Sequence, residues 1–178
     1  MPPRALADGR AQTDRLTLRP IAEHDAEAVW SIHSDARTNL FNPAGPMRER
    51  SRADEQAREW ASSWATDGQG YWAVELREQP GAVVGFGGIR LVQWRDRRVY
   101  NLYYRLAPAV WGRGLAGELV EASVARWREL GDHPLVAYTT ADNLPSQRVA
   151  SRGGLERRPE FDEVRATYTD VVFGLGLR

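Results

Sequence analysis

Cysteine is absent from the 178-residue chain, so no disulfide framework, thiolate nucleophile or zinc–thiolate site can be built from it. Thiol chemistry, if any, has to arrive with a ligand. An excess of charge of either sign is lacking as well. Lys+Arg and Asp+Glu number 24 each, which leaves no net field to draw the chain to nucleic acid, an anionic membrane or an acidic partner. Any phosphate must therefore be held by local groups. No apolar run approaches a membrane span. Met1 to Gln12 mixes Arg4, Asp8 and Arg10 with small residues and lacks the apolar core of a signal peptide. A cytoplasmic enzyme or binding protein is expected, its first dozen residues frayed. No repeat, linker or low-complexity tract divides the sequence, so residues 1–178 read as a single domain.

What is present is alternation, helical stripes and punctuating glycines. Leu16-Thr17-Leu18-Arg19-Pro20 alternates apolar and polar residues and reads as a first strand. Asp25 then caps a helix bearing Ala26, Val29, Trp30 and His33 on one face. Asp35 to Arg50 carries too many breakers for a long element and reads as a mobile loop or substrate-side lid. Ser51 and Asp54 resemble a capping pair for a second helix, striped by Ala53, Ala57, Trp60, Ala61 and Trp64 and ending near Asp67-Gly68.

Strands over Tyr71–Leu76, Val83–Val92 and Val99–Leu106 form an antiparallel meander, turning at Gln79-Pro80-Gly81 and at Arg95-Asp96-Arg97-Arg98. The latter is a solvated hairpin tip, since no aromatic stacking platform for nucleic acid accompanies it. A helix from Leu115 to Leu130, stopped by Gly131, and a strand Leu135–Thr139 imply a β-turn-α-β crossover. A short helix reaching Arg152 follows, ended by Gly153-Gly154, with closing strands over Phe161–Tyr168 and Val171–Leu177.

Between strand and helix stands Trp111-Gly112-Arg113-Gly114-Leu115-Ala116-Gly117. Free N–H groups and the helix dipole make such a place a pocket for phosphate oxygens, and Gly112 and Gly114 let the chain coil closely around a pyrophosphate. Arg113 could add a positive charge. A plain tight turn would use the same glycines. Gly112-x-Gly114-x-x-Gly117 also matches the dinucleotide-binding fingerprint, with Asp142 near the place of the ribose-binding acid. Against that reading, only about one further crossover's worth of chain remains to complete a nicotinamide-binding half-sheet.

Taken together, Arg15 to Pro20, Tyr104-Arg105-Leu106-Ala107-Pro108, Trp111 to Ala116, Asn143-Leu144-Pro145-Ser146 and Gly154-Leu155 resemble the GNAT superfamily of acetyl-coenzyme A-dependent N-acetyltransferases. The branch they resemble most is that of the ribosomal-protein N-terminal acetyltransferases. The resemblance implies an α/β (α+β) fold: a mixed, mostly antiparallel sheet of six to seven strands with a central splay, and about four helices. It also implies acetyl-CoA as cosubstrate, no metal, and an amine acceptor, in a monomer or homodimer. The family's pyrophosphate loop, Gln/Arg-x-x-Gly-x-Gly/Ala, has Gly114 and Ala116 in its last two fixed places here, with Trp111 departing from the first.

By the same resemblance Leu106, Trp111, Gly112, Arg113, Gly114, Leu115, Ala116, Asn143 and Ser146 hold the coenzyme. A backbone N–H of the splayed strand, at Leu106, meets the oxyanion, and Ser146 returns a proton to the leaving thiolate, with Tyr138 and Tyr104 as substitutes. Asn143 and Ser146 would equally serve as a plain helix cap. Arg148 and Arg152 either reach coenzyme phosphates or are solvated. Many relatives carry a catalytic Glu where this chain has Asn101, and Asn cannot accept a proton. Asn101 then orients a water, or Glu75 serves, or the amine arrives deprotonated. That departure also admits a catalytically silent coenzyme A-binding module. His24, His33 and His133 lack ligand spacing and read as surface or helix-face residues. Trp60 and Trp64 read as core, while Trp30 or Trp94 could line an acceptor cleft between the Asp35–Arg50 loop and the meander.

Overall fold

The computed structural model describes residues 4–5 and 7–177. The sheet begins earlier in the chain than its first clear alternation. Arg4–Ala5 (β1) pairs with Ala11–Gln12 (β2), and β2 pairs with Leu16–Pro20 (β3). Of the dozen residues expected to fray, Met1–Pro3 and Leu6 lie outside the described residues, whereas Ala11 is buried. From β3 the meander runs through Tyr71–Leu76 (β4), Gln79–Trp94 (β5) and Arg97–Leu106 (β6), each antiparallel to the last. Leu135–Thr140 (β7) joins β6 in parallel, and Thr169–Leu175 (β10) closes antiparallel to β7. Two-residue strands Glu156–Arg157 (β8) and Glu163–Val164 (β9) pair with β10. Among the described residues, six strands of five or more residues carry the sheet, as expected, and four two-residue strands trim it.

Among the described residues, four α-helices cover the two faces. Ala26–His33 (α1) and Arg50–Asp67 (α2) lie on one, where Val29, Ile32, Ala57 and Trp60 pack against Tyr71, Ala73 and Phe86. Leu115–Leu130 (α3) and Leu144–Arg152 (α4) lie on the other. There Leu115 and Leu119 meet Leu18, Trp72 and Leu106, and Val120, Val124 and Ala150 meet Leu102, Leu135 and Phe173. Burying each large apolar side chain contributes about 1.5–3 kcal/mol, so α3, which buries Leu115, Leu119, Val120 and Val124, is the main clamp on the crossover.

Several boundaries differ from the pattern reading, each for a local reason. The β4–β5 turn is Arg77-Glu78. Pro80 and Gly81 lie in a bulge of β5, because the Glu75 carboxylate accepts the Gly81 N–H at 2.8 Å and skews the register. Ser51 does not cap α2: Glu49 is the N-cap, and no side chain bonds the first turn. Asp25 stands at the N-cap of α1, but its carboxylate is taken by Arg19 and by the Ala22 N–H. Of the strand expected over Phe161–Tyr168, only Glu163–Val164 (β9) forms. Pro159–Phe161 forms a 3-10 turn, because Asp162 accepts from Arg157 and from the Val172 N–H at 3.1 Å and pins the segment across the sheet edge.

Candidate active site

Period-two alternation along β6 sets the site. The Ala107 N–H donates to the Val84 carbonyl at 2.8 Å, so the main-chain groups of Ala107 and Arg105 face β5. Those of Leu106 and Tyr104 face the other way, toward β7. The β6–β7 ladder, however, covers only Tyr100↔Leu135 and Asn101↔Val136, although β6 runs on to Leu106 and β7 to Thr140. Past Asn101 the two strands splay, and the Leu106 N–H points into the gap. A cleft of about 650 Å³ occupies it, lined by Leu102–Leu106 and Ala137–Thr140 and floored by Ser146 and Val149 of α4.

The glycine turn forms one mouth of this cleft. Gly112 (φ 74°) and Gly114 (φ 75°) are both left-handed, a conformation that costs other residues about 1–2 kcal/mol. Gly114 is the N-cap of α3, so no side chain satisfies the first amides of that helix. A Cβ at Gly112 or at helical Gly117 would meet no protein atom within 4 Å. Open space before unspent N–H groups suits a diphosphate.

The turn is held from behind. Glu118 of α3 accepts from the Arg15 N–H and Nε, both at 2.7 Å, and from the Thr13 hydroxyl, while Arg15 donates onward to the Arg113 carbonyl at 2.5 Å. Burial works to raise the Glu118 carboxyl, and these hydrogen bonds outweigh it, holding it below its usual range. Trp111 lines the cleft, and its indole N–H donates to the Leu106 carbonyl at 2.8 Å, tying the turn to the end of β6. Leu115 and Ala116 also line the cleft. Arg113 does not: its guanidinium is turned to Glu78 at 2.8 Å.

At the floor, the Tyr104 hydroxyl donates to Ser146 Oγ at 3.0 Å. Burial raises the Tyr104 phenol, a push only partly offset by that bond, so it stays protonated at neutral pH. Asn143 is the N-cap of α4, accepting the Ser146 N–H at 3.2 Å and donating to Thr139 Oγ1 at 2.8 Å. It positions Ser146 through the cap. Tyr138 is exposed on the wall of the cleft, while Arg148 and Arg152 are exposed outside it.

Asn101, expected to orient a water, and Glu75, the alternative base, both lie elsewhere. Asn101 donates to the Tyr71 hydroxyl at 2.6 Å and does not line the cleft. Glu75 is paired with Arg19 at 2.8 Å, away from it. Trp30 and Trp94 do not line the cleft either, and Trp94 packs on Phe161.

The wall on the α1/α2 side holds groups the motif reading passed over. His33 is buried, with Nδ1 2.9 Å from the Val29 carbonyl and Nε2 2.8 Å from the Tyr103 hydroxyl. Burial first, then the nearby Arg105 charge, push its imidazole down to about 4. It is therefore neutral at pH 7, protonated on Nδ1, and accepts the Tyr103 O–H. Asn39 fixes the Asp35–Arg50 loop by donating to the His33 and Asp35 carbonyls and accepting from Arg105 at 2.7 Å. Arg37, Phe41 and Asn42 of this loop line the cleft. Asp170 of β10 is the one carboxylate that does so among the described residues. Alternation along β6 could have singled out Arg105, which faces opposite to Tyr104 and Leu106; Asp170 carried no local signal.

Comparison with known proteins bears on this arrangement. Residues 15–156 match the acetyltransferase (GNAT) domain family. The uncharacterised N-acetyltransferase YoaA of Bacillus subtilis is 25% identical over 82% of this chain and 82% of its own. A solved acetyltransferase of Agrobacterium tumefaciens superposes with a TM-score of 0.77 at 26% identity, over 98% of each chain. The ribosomal L7/L12 α-N-protein acetyltransferase RimL, solved with coenzyme A, reaches 0.72 at 14% identity, over 92% of this chain and 94% of its own.

Proposed function

The chain belongs to the GNAT acetyltransferase family and is an acetyltransferase; from that premise we propose that it moves the acetyl group of acetyl-CoA to a primary amine, a protein N-terminus or a small molecule, by direct attack in the β6–β7 cleft. The observation that carries the proposal is the splay past Asn101, with an uncapped glycine turn at its mouth and an unspent Leu106 N–H inside it. The dinucleotide alternative finds no support in this sheet, whose only parallel pairing among the described residues is β6 with β7.

The residues present fit the donor. Main-chain N–H groups of Gly112 to Gly117 would hold its diphosphate, against open space that a side chain at Gly112 or Gly117 would fill. When bound, acetyl-CoA supplies an acetyl thioester that is already activated, so no covalent enzyme intermediate is required. The Leu106 N–H is a preorganised donor for charge developing on the acetyl oxygen; one such donor is worth about 3 kcal/mol. Ser146 Oγ accepts from Tyr104, which leaves its own O–H free to point into the cleft. A proton can pass from Ser146 to the departing sulfur and be replaced from Tyr104. Asp170, which lines the cleft from β10, attracts the incoming ammonium and takes its proton, the task Asn101 cannot perform.

The test is release of free thiol from acetyl-CoA across a panel of primary amines, with acetyl-CoA, coenzyme A and NAD compared for thermal stabilisation. A ligand at 100 times its dissociation constant adds about 2.7 kcal/mol. Amine-dependent thiol release with stabilisation by acetyl-CoA is expected. Binding without release under any acceptor would mark a silent coenzyme A-binding module, and stabilisation by NAD alone would overturn the reading.

A further inference from the structure

Among the described residues, three charged side chains line the cleft: Arg37, Arg105 and Asp170. Two of them have ionic partners. Arg37 is folded onto Asp35 of its own loop, with contacts from 2.6 Å, and Asp170 stands 3.5 Å from Arg165. Arg105 has none among the described residues. Its single hydrogen bond to them is with the neutral Asn39 amide at 2.7 Å, and none of their carboxylates lies within ion-pairing distance.

The surroundings do not compensate for that charge. Tyr103 beside it is a phenol that burial keeps protonated, and His33 is held neutral. Arg105 is also partly buried, where an unmatched cation is costly unless something else is brought to it. Of the five N–H donors of a guanidinium, one is spent here, leaving an edge able to take a planar anion through two parallel bonds.

The donor's phosphates do not reach this place, on the reading above. Arg105 projects from the sheet face opposite Tyr104 and Leu106, whose side chains turn toward α4 and α3. It shares the α1/α2 face with Tyr103, which packs on Trp60 and His33. Across the cleft on the same face stands Asp170, two residues along β10 from Val172, which pairs with Tyr138. The acceptor side therefore has a cation on its β6 wall and an anion on its β10 wall.

We propose that Arg105 recognises a carboxylate carried by the acceptor, so that the amine acetylated here belongs to an amino acid or short peptide whose carboxylate lies close to its amino group. This rests on the acetyltransferase reading. Asp170 meets the ammonium, and Arg105, braced by Asn39, meets the carboxylate. Arg105 is a specificity-determining residue, with no proton to transfer.

The experiment measures kcat and KM for thiol release from acetyl-CoA with a panel of L-amino acids, each beside its own carboxamide, for the wild type, Arg105→Gln and Arg105→Lys. An amide lowers the basicity of its amine, so without recognition the amides would be the faster substrates. The wild type is expected to favour the acids at least tenfold in kcat/KM, the worth of a charged hydrogen-bonded contact. Arg105→Gln should erase that preference by raising KM for the acids alone, and Arg105→Lys should restore part of it. The proposal is overturned if the wild type uses acid and amide equally, if only amines without a carboxylate turn over, or if Arg105→Gln slows both by the same factor, as a mere brace for Asn39 would. Thermal stabilisation by acetyl-CoA, measured in parallel, separates the outcomes: retained, it leaves the transferase reading standing; lost in the wild type, it removes both.

Discussion

Lowering the pH from about 7 to about 5 should cost the fold about 2 kcal/mol through His33 alone. The folded protein holds this imidazole neutral, sandwiched between the Val29 carbonyl and the Tyr103 hydroxyl, and its value falls from 6.5 to about 4. Unfolded, the side chain titrates near its ordinary value. As the pH drops below that value the unfolded chain takes up a proton the native state refuses, so stability present above it is lost progressively down to the folded value. At about 1.4 kcal/mol per unit the whole window is worth about 3 kcal/mol, most of it gone by about pH 5. The lowered carboxyls of Asp25 and Glu118 lose most of their own contributions below about pH 5, beyond the pH 7 to 5 range compared. Urea unfolding of the wild type and His33→Gln at a series of pH values isolates the effect, because the variant lacks the imidazole in both states. The stability difference between the two proteins should shrink by about 2 kcal/mol across that range. Parallel curves, or an imidazole that titrates near 6.5 by NMR in the folded protein, would refute the reasoning.

Ser146→Ala should lower kcat for thiol release about a hundredfold with little change in KM for acetyl-CoA, since it removes the hydroxyl between Tyr104 and the cleft; an unchanged kcat would dismiss the proton relay. Gly114→Asp places a carboxylate where the donor's diphosphate is to sit and strains a left-handed φ of 75°, so acetyl-CoA binding by calorimetry should disappear while far-UV circular dichroism is kept. Asp25→Ala should destabilise the fold by about 3 kcal/mol in urea, because Arg19 then loses two bonds of 2.7 and 2.8 Å inside the β3–α1 junction. A loss under about 0.5 kcal/mol would show the pair to be solvated in effect.

Leu16–Pro20 and α3 were legible in the sequence because burial on one face writes a period directly, and β7 because Leu135, Val136 and Ala137 form a continuous apolar run buried on both faces. Elements set by a single distant polar contact were not. The bulge at Pro80-Gly81 depends on Glu75, the 3-10 turn at Pro159–Phe161 on Arg157 and Asp162, and the two-residue strands are too short to carry a pattern. Within the site, the glycine turn and the Asn143–Ser146 cap stood out because their backbone roles demand particular residue types. Arg105, Asp170 and the neutral His33 did not, since their significance comes from which neighbours the sheet denies or supplies them. The Tyr104–Ser146 contact joins residues 42 positions apart and follows only once α4 is laid across the splay.

Crystallising the protein with acetyl-CoA tests the central claim most directly. The account predicts diphosphate oxygens within hydrogen-bonding distance of the main-chain N–H groups between Gly112 and Gly117, with the acetyl group entering beside Leu106. A complex in which that turn makes no contact with phosphate, the coenzyme lying on another surface, would contradict it.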